Sequence, residues 1–450
     1  MIEKLNSDCF CISLETDALR RAIDAQSPGL SDLIAQRCPN LFAALPVFVS
    51  RRHVDAMAAV VAAVEETVGL PGYREAALAH APAIARHDPG ARGAFLGYDF
   101  HLDAGGPRLI EINTNAGGAL LNAVLGQAQR ACCAEVAALV SGPLRPEALE
   151  RAFFDMFAAE WLYAGRAGLP RRIAIVDRSP EQQFLYPEFV LFERLFRRFG
   201  VEAVIRAPEE LVFAGGELRD GEGRIDLVYN RLTDFSLQDA AHVALRQAYL
   251  DGAAVVTPHP RAHALYADKR NLALLTDAAR LRAWGVRPAT VEVLLRGIAR
   301  TELVAVATAP RLWSSRRKLF FKPAGGYGSK AAYRGDKLTR RVWDEILRGE
   351  YVAQELVAPS ERRIAADAAL KVDVRNYVYS GVVQQLAARL YQGQTTNLRT
   401  AGGGFAPVLT TGNAPGGELV LEDSPDGPAD PGALWRALGC QAALRNELSR

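Results

Sequence analysis

The chain has 450 residues, of which 49% are apolar and 23% charged, and its formal net charge is +2. Roughly two or three domains fit in that length, and an ordinary composition with interspersed charge gives no reason to expect nucleic acid or an anionic membrane as the main partner. No run of about 18 uncharged apolar residues occurs, so no membrane span is predicted.

The N-terminal stretch MIEKLNSDCFCISLETD lacks the basic-then-apolar layout of a secretory signal. Cys9, Cys11, Cys38, Cys132, Cys133 and Cys440 form no CxxC pair, so reduced thiols and a cytoplasmic location are expected. Residues 13–85 read as several helices, with apolar residues at three and four spacing as in HVDAMAAVVAAVEETV (53–68). Residues 94–113 read as a hairpin, AFLGYDFHLD and RLIEIN about the turn Ala104-Gly105-Gly106-Pro107. Helix returns over 117–165. Strands at 171–177, 201–206, 225–232 and 253–260 then alternate with helices at 187–200 and 236–252. That alternation predicts a small α/β lobe with a parallel sheet.

From residue 264 the style changes again. A helix carrying Lys269 (264–277) leads to the strand–turn–strand LFFKPAGGYGSKAAY (319–333). Further strands are expected at 350–359, 369–383 and 384–392. Residues 393–408 read as a polar, glycine-rich loop and 411–432 as a Gly-, Pro- and Asp-rich one, with a helix ending the tail 409–450. No internal repeat is present.

The stretch RLIEINTNAGGALLN (108–122) carries the first chemical signal. Glu111, Asn113 and Asn115 alternate, so on a strand they share a face. A carboxylate and amide oxygens on one face suit a hard cation such as Mg²⁺, which takes oxygen ligands and shares them with phosphate. The plainer alternative is a strand end whose asparagines cap the next helix. Asp99 lies one strand earlier, across a short turn. Antiparallel pairing would bring Asp99, Glu111 and Asn113 into one oxygen-rich site for two Mg²⁺ ions bridged by phosphates.

In FKPAGGYGSK, the strand-end Lys322 is followed by Gly325, Gly326, Gly328 and Ser329. Successive N–H groups of such a turn can cradle a phosphate. It is not a Walker A loop, since no Gly-Lys-Ser/Thr opens a helix, nor a dinucleotide fingerprint, since it leads to a strand. The alternative is an ordinary Gly-rich hairpin. YVAQELV interrupts an apolar strand with Gln354-Glu355, whose backbone and carboxamide groups could meet an adenine edge; alone it is only a strand. VDVRNYV places Asp373 and Arg375 on one face, either as a surface ion pair worth little or as an arginine held to meet a phosphoryl group.

Together these motifs resemble the ATP-grasp ligases. YDFHLDAGGPRLIEINTNAGG is similar to the metal-binding hairpin of D-alanine ligases and their relatives, and FKPAGGYGS to the glycine-rich phosphate loop. AQELV is similar to the hinge that holds adenine, and DVRNYV and TTNLRTAGGGFA to later strands of peptide-forming members. The hairpin comes first here, far ahead of the glycine-rich loop. That order resembles the eukaryotic-type glutathione synthetases, a circularly permuted group, over roughly residues 90–410.

The resemblance implies an α/β (α+β) ATP-grasp fold, circularly permuted. A helical N-terminal part with the metal hairpin would span 1–165, an inserted small parallel α/β substrate lobe 166–264, and a nucleotide-binding core with its lid 265–450. ATP and Mg²⁺ are the implied cofactors. Lys269 and Lys322 match the two ATP-binding lysines, with Gly325, Gly326, Gly328 and Ser329 as the phosphate loop. Gln354, Glu355 and Val357 fall at the adenine hinge, and Asp99, Glu111 and Asn113 at the metal ligands. Arg375, Arg389 and Arg399 are candidates to neutralise the transferring phosphoryl group and the tetrahedral intermediate. Arg231 matches a substrate-side arginine, and Asn115 is a second substrate-side candidate.

There are departures. Asn115-Ala116-Gly117-Gly118 replaces a serine-containing stretch, and Ala324, Gly325 and Tyr327 surround the place of a loop glutamate that helps bind metal. Ala401 follows Arg399-Thr400 where a lysine is usual, and Gly97 stands where an arginine is common. The expected activity is ADP-forming, ATP-dependent carboxylate–amine ligation through an acyl phosphate. The alternatives are a kinase of the same fold and a catalytically silent nucleotide-binding regulator. The expected partners are small molecules, a carboxylate and an amine of amino-acid or peptide-like kind. No nucleic acid or membrane is expected, and a homodimer is left open.

Overall fold

The computed structural model describes residues 2–10, 14–103, 105–128, 140–141, 145–325 and 331–411. Its largest sheet runs in the order β1 (Val47–Ser50), β18 (Gly404–Thr411), β17 (Val382–Tyr391), β16 (Ala368–Tyr379), β2 (Leu96–Asp103) and β3 (Gly106–Asn113). β15 (Ser360–Ala365) pairs with the first part of β16, and β4 (Val140–Ser141) with the end of β18. The two-residue period of these strands separates core from chemistry. Leu96, Tyr98, Phe100, Val372, Val374 and Leu390 join an apolar core with Met57, Val61 and Val64 of the helix Arg51–Val68 and Leu294 of the helix Pro288–Gly297. Fully burying a side chain such as Phe100 contributes roughly 1.5–3 kcal/mol. The alternate residues Asp99, His101, Asp373, Arg375 and Arg389 line a cavity instead.

A second sheet, all parallel, runs β10 (Val255–Thr257), β9 (Leu227–Asn230), β5 (Arg172–Val176), β6 (Glu202–Arg206). Ala174, Val176, Val204, Val228 and Val256 give it a core of its own, and a short hairpin, β7 (Val212–Ala214) and β8 (Glu217–Arg219), follows β6. The α/β pattern of this stretch is therefore present as expected. A third, antiparallel sheet runs β11 (Thr301–Leu303), β14 (Tyr351–Glu355), β12 (Leu319–Pro323), β13 (Tyr333–Arg334). It closes over Leu312, Phe321, Trp343 and Ile346. Among the described residues no helix is long and apolar enough to cross a membrane.

Three elements differ from the sequence reading. β1 lies inside the stretch expected to be helical; its Val47, Phe48 and Val49 are all buried, so it shows no alternation. β18 begins inside the expected loop 393–408, where Gly404 and Pro407 conceal a strand that pairs with β17 and β1. The expected strand 369–383 is broken by the turn Ser380-Gly381, both at positive φ (48° and 76°), which joins β16 to β17 as a tight hairpin. The expected tail helix lies outside the described residues.

Candidate active site

A cavity of about 310 Å³ opens between the polar face of the large sheet and the β11–β14 sheet. Lys322 reaches into it from β12. Its buried ammonium donates to the Ile110 carbonyl (2.9 Å) and to Gln354 Oε1 (2.8 Å). Gln354 is held in turn, because its Nε2 donates to Thr301 Oγ1 at 3.1 Å. Ile110 is available because β3 carries a bulge. Asp99 pairs with Glu111 and Phe100 with Leu109, leaving Ile110 as the extra residue. Both acceptors are neutral. Burial, with Lys269 adding to it and Glu111 opposing, lowers the Lys322 ammonium to about 8.

The sheet face opposite holds a lattice of charges. Arg375 meets Asp99 in a two-pronged pair (Nε–Oδ1 2.6 Å, Nη2–Oδ2 2.7 Å). Arg389 binds Asp373 through Nε at 2.6 Å and Nη2 at 3.0 Å, and Asp99 through Nη2 at 2.9 Å. The Thr396 hydroxyl also donates to Asp373. Register explains this: Asp99 faces Arg375 across β2–β16, and Asp373 faces Arg389 across β16–β17. Burial opposes ionisation of Asp99, but the guanidiniums of Arg375 and Arg389 more than offset it and hold the carboxyl at about 2. The same carboxylates keep Arg389 above the ordinary guanidinium range against the effect of burial.

The cavity lining carries the cations Lys269, Lys322, Arg334, Lys371, Arg375 and Arg389. Its carboxylates are Asp99, Glu111, Asp373 and Glu355, and the last is paired with Arg108 at 2.8 Å. Glu111 alone of the four has no hydrogen bond or ion pair among the described residues. Asn113 donates through Nδ2 to Asp99 Oδ2 at 3.0 Å, and its Oδ1 accepts no hydrogen bond among the described residues. Glu111 and Asn113 thus present oxygen donors beside an excess of positive charge, an arrangement that can take a polyanion together with a hard cation. Among the described residues no three His, Cys, Asp or Glu side chains converge as a metal site.

Several expectations need correction. Asp373 and Arg375 do not pair with each other at a surface; each is bonded to a residue on a neighbouring strand, and both are buried. The Gln354 amide, expected to meet an adenine edge, is spent on Lys322 and Thr301. Val357 does reach the cavity, and its carbonyl bonds to His101 Nδ1 at 2.8 Å. Lys269 sits at the N-cap of Arg270–Leu275 rather than within a helix, yet lines the cavity. Arg399 is exposed and outside the lining; its carbonyl is bonded by Asn40. Gly325 is exposed just beyond β12, while Gly326, Gly328 and Ser329 lie outside the described residues.

Asn115 leaves the face shared by Glu111 and Asn113, because β3 ends at Asn113 and Asn115 adopts φ +82°. Its Nδ2 donates to the carbonyls of Arg231 (2.7 Å) and Leu232 (3.1 Å). Arg231 is buried away from the cavity, donating to the Tyr229 hydroxyl at 3.1 Å beside the Phe189 ring. The asparagines do not cap the next helix either. Glu188 accepts from Gly118 N (2.8 Å) and Leu120 N (3.2 Å) at the start of Ala119–Gln127.

His101, Lys371 and Thr396 also line the cavity, although none is among the residues to which the sequence motifs give a role. His101 and Lys371 lie two residues from Asp99 and Asp373 on the same strands, so strand alternation was the available signal. Gly97 makes room for Ala116 first and for the lattice second: a Cβ there would stand 2.6 Å from Ala116 Cβ and 3.2 Å from Arg375 Nε. The guanidiniums beside Asp99 come from β16 and β17, not from the hairpin position that Gly97 holds.

No protein-family model matches the chain, and no curated protein matches it in sequence. Among solved structures, a glutathione synthetase-like effector from Globodera pallida superposes over 88% of this chain and 98% of its own at a TM-score of 0.51 and 10% identity. A structure described as a gamma-glutamylcysteine synthetase from Methylobacillus flagellatus KT covers 79% and 87% at TM-score 0.44 and 11% identity. The ATP-grasp ligase PsnB, complexed with minimal precursor, Mg and ADP, covers 60% and 97% at TM-score 0.27 and 15% identity. The first of these shows the fold alone: mixed α/β, like that of the glutathione synthetase-like effector.

Proposed function

We propose that the chain is an ATP-dependent carboxylate–amine ligase that forms ADP and phosphate, with the cavity between the two sheets as its active site. The observation that supports this most is Lys322, a buried ammonium whose acceptors among the described residues are both neutral, in a cavity that also holds Glu111, which has no hydrogen bond or ion pair among those residues. A buried cation without an anionic partner is costly unless a ligand supplies one, and a nucleotide polyphosphate does so.

Lys322 and Lys269 would hold the phosphates, and the Val357 segment with His101 would wall the base. Glu111 and Asn113 Oδ1 would hold Mg²⁺, which supplies charge neutralisation at the transferred phosphoryl group. In this reading Asp99 is an anchor for Arg375 and Arg389 rather than a ligand of the first rank. The fixed guanidiniums lower the cost of the negative charge that grows on the phosphoryl group and on the tetrahedral intermediate after the amine attacks the acyl phosphate. No side-chain nucleophile is needed.

The sheet at 172–257 would present the acid or amine, and the early place of β2–β3 in the chain would reflect circular permutation. The engagement of Asp99 with two arginines favours one second reading, a nucleotide-binding protein without turnover. Calorimetric titration with MgADP tests the shared premise: binding that Lys322→Met weakens by about tenfold or more supports the site, and equal affinity in parent and variant contradicts it. Turnover then separates the ligase from the silent binder.

A further inference from the structure

A second cavity, of about 320 Å³, lies at the turn end of the β2–β3 hairpin. Gly105, Gly106 and Pro107 form one wall. Arg52, His53 and Ala56 from the start of Arg51–Val68 form another, and Val293 and Arg296 from the end of Pro288–Gly297 a third. Both helices pack on the apolar face of the sheet, so this groove is separate from the site that contains Lys322.

Its lining is basic, with the Asp103 carboxylate next to the Gly105 wall, where it accepts from Gly105 N at 2.7 Å. No Asp or Glu is among its lining residues, whereas both arginines and a histidine are. Neither Arg52 nor Arg296 has a hydrogen bond or ion pair among the described residues. Their neighbours differ: Arg51 pairs with Asp55 at 2.9 Å, and Arg287 pairs with Glu66. The His53 ring is likewise unbonded among the described residues; only its backbone N–H is used, on Ser50 Oγ. The remaining lining residues, Ala59, Val60 and Gly297, are apolar and small or medium in side-chain volume. At Gly297 even a Cβ would collide with Val60.

We propose that this groove is a binding site for a small oxyanion, a phosphate- or carboxylate-bearing molecule clasped between Arg52 and Arg296. Arg52 and Arg296 come from two different helices that line the groove, and a planar guanidinium matches the two-pronged geometry that such groups accept. His53 supplies a third donor and the apolar lining takes the body of the ligand. Burial and the Arg52 charge lower the His53 ring while Asp103 opposes them, so an anion in the groove adds its charge to that of Asp103 and shifts the ring upward. His53 is therefore a local reporter that needs no enzyme turnover.

The test follows the His53 ring resonances of the full chain by NMR, at fixed ionic strength, as inorganic phosphate or, in a separate arm, citrate is added. Saturable shifts with an upward displacement of the His53 pKa are expected from at least one probe, and the responding arm tells phosphate from carboxylate. Arg52→Gln with Arg296→Gln should weaken the response at least about tenfold. Both arginines are exposed, so the variant keeps its core. Lys322→Met, which alters the other cavity, should leave the response intact, so a failure of the ligase reading does not mimic a failure here. No saturable response to either probe, or equal affinity in the double variant, overturns the proposal.

Discussion

Asp99 and Glu111 stand directly opposite each other across β2 and β3, and only Asp99 is neutralised by arginines. The two carboxylates therefore have separable roles. Asp99→Asn leaves Arg375 and Arg389 side by side without their shared anion, and breaking a buried pair in this way costs about 3–5 kcal/mol. Urea unfolding should show that loss for Asp99→Asn and almost none for Glu111→Gln. Unfolding midpoints that fall equally in both variants would mean that Glu111 is also structural.

The pH dependence of Asp99 has a definite sign. Its folded carboxyl, at about 2, lies below the ordinary value of 3.8, so its contribution is fully present above about pH 4. It fades as the pH falls towards 2. Parent and Asp99→Asn should therefore converge in stability over that interval, as measured by thermal unfolding in a pH series.

Lys322 behaves in the opposite sense. Its folded ammonium, at about 8, is below the ordinary 10.5, so between those values the unfolded chain binds more protons and stability rises with pH. Bound phosphates would restore the charge. Nucleotide binding at pH 8 should then take up about half a proton. Calorimetry in buffers of different ionisation enthalpy measures this, and Lys322→Met should abolish the uptake.

Gly118 tests the local reading of Ala-Gly-Gly. It sits at φ +100°, and a Cβ there would collide with the Phe405 ring on β18. Gly118→Ala should destabilise the chain by about 1–3 kcal/mol or more, through backbone strain and overpacking together. A midpoint unchanged by the substitution would show that the ring has room to move.

Strand alternation made much of this site legible. It put Asp99, Glu111 and Asn113 on one face, and it placed the hairpin, the parallel lobe and the lysine strand. It could not show who partners whom. Arg375 and Arg389 are charged residues in apolar strands, and only the order β17–β16–β2 reveals that both reach Asp99. Gln354 looked like a group for a ligand because its partner Lys322 lies 32 residues away. Asn115 kept the alternation in sequence but lost it in space, since a positive φ turns it towards Arg231. β1 and β18 escaped notice for opposite reasons, one being apolar on every side and the other rich in Gly and Pro at its start.

The most direct measurement of the ligase reading is the nucleotide product. MgATP is incubated with paired acids and amines of amino-acid or dipeptide kind, and the spent nucleotide is separated by chromatography for the parent, Glu111→Gln and Lys322→Met. The account predicts ADP and phosphate whose release needs acid and amine together. It predicts loss of that release in Lys322→Met, and in Glu111→Gln a fall on the order of a hundredfold in turnover, larger than any change in nucleotide affinity. AMP with pyrophosphate as the main product, or equal release by the parent and both variants, would contradict it.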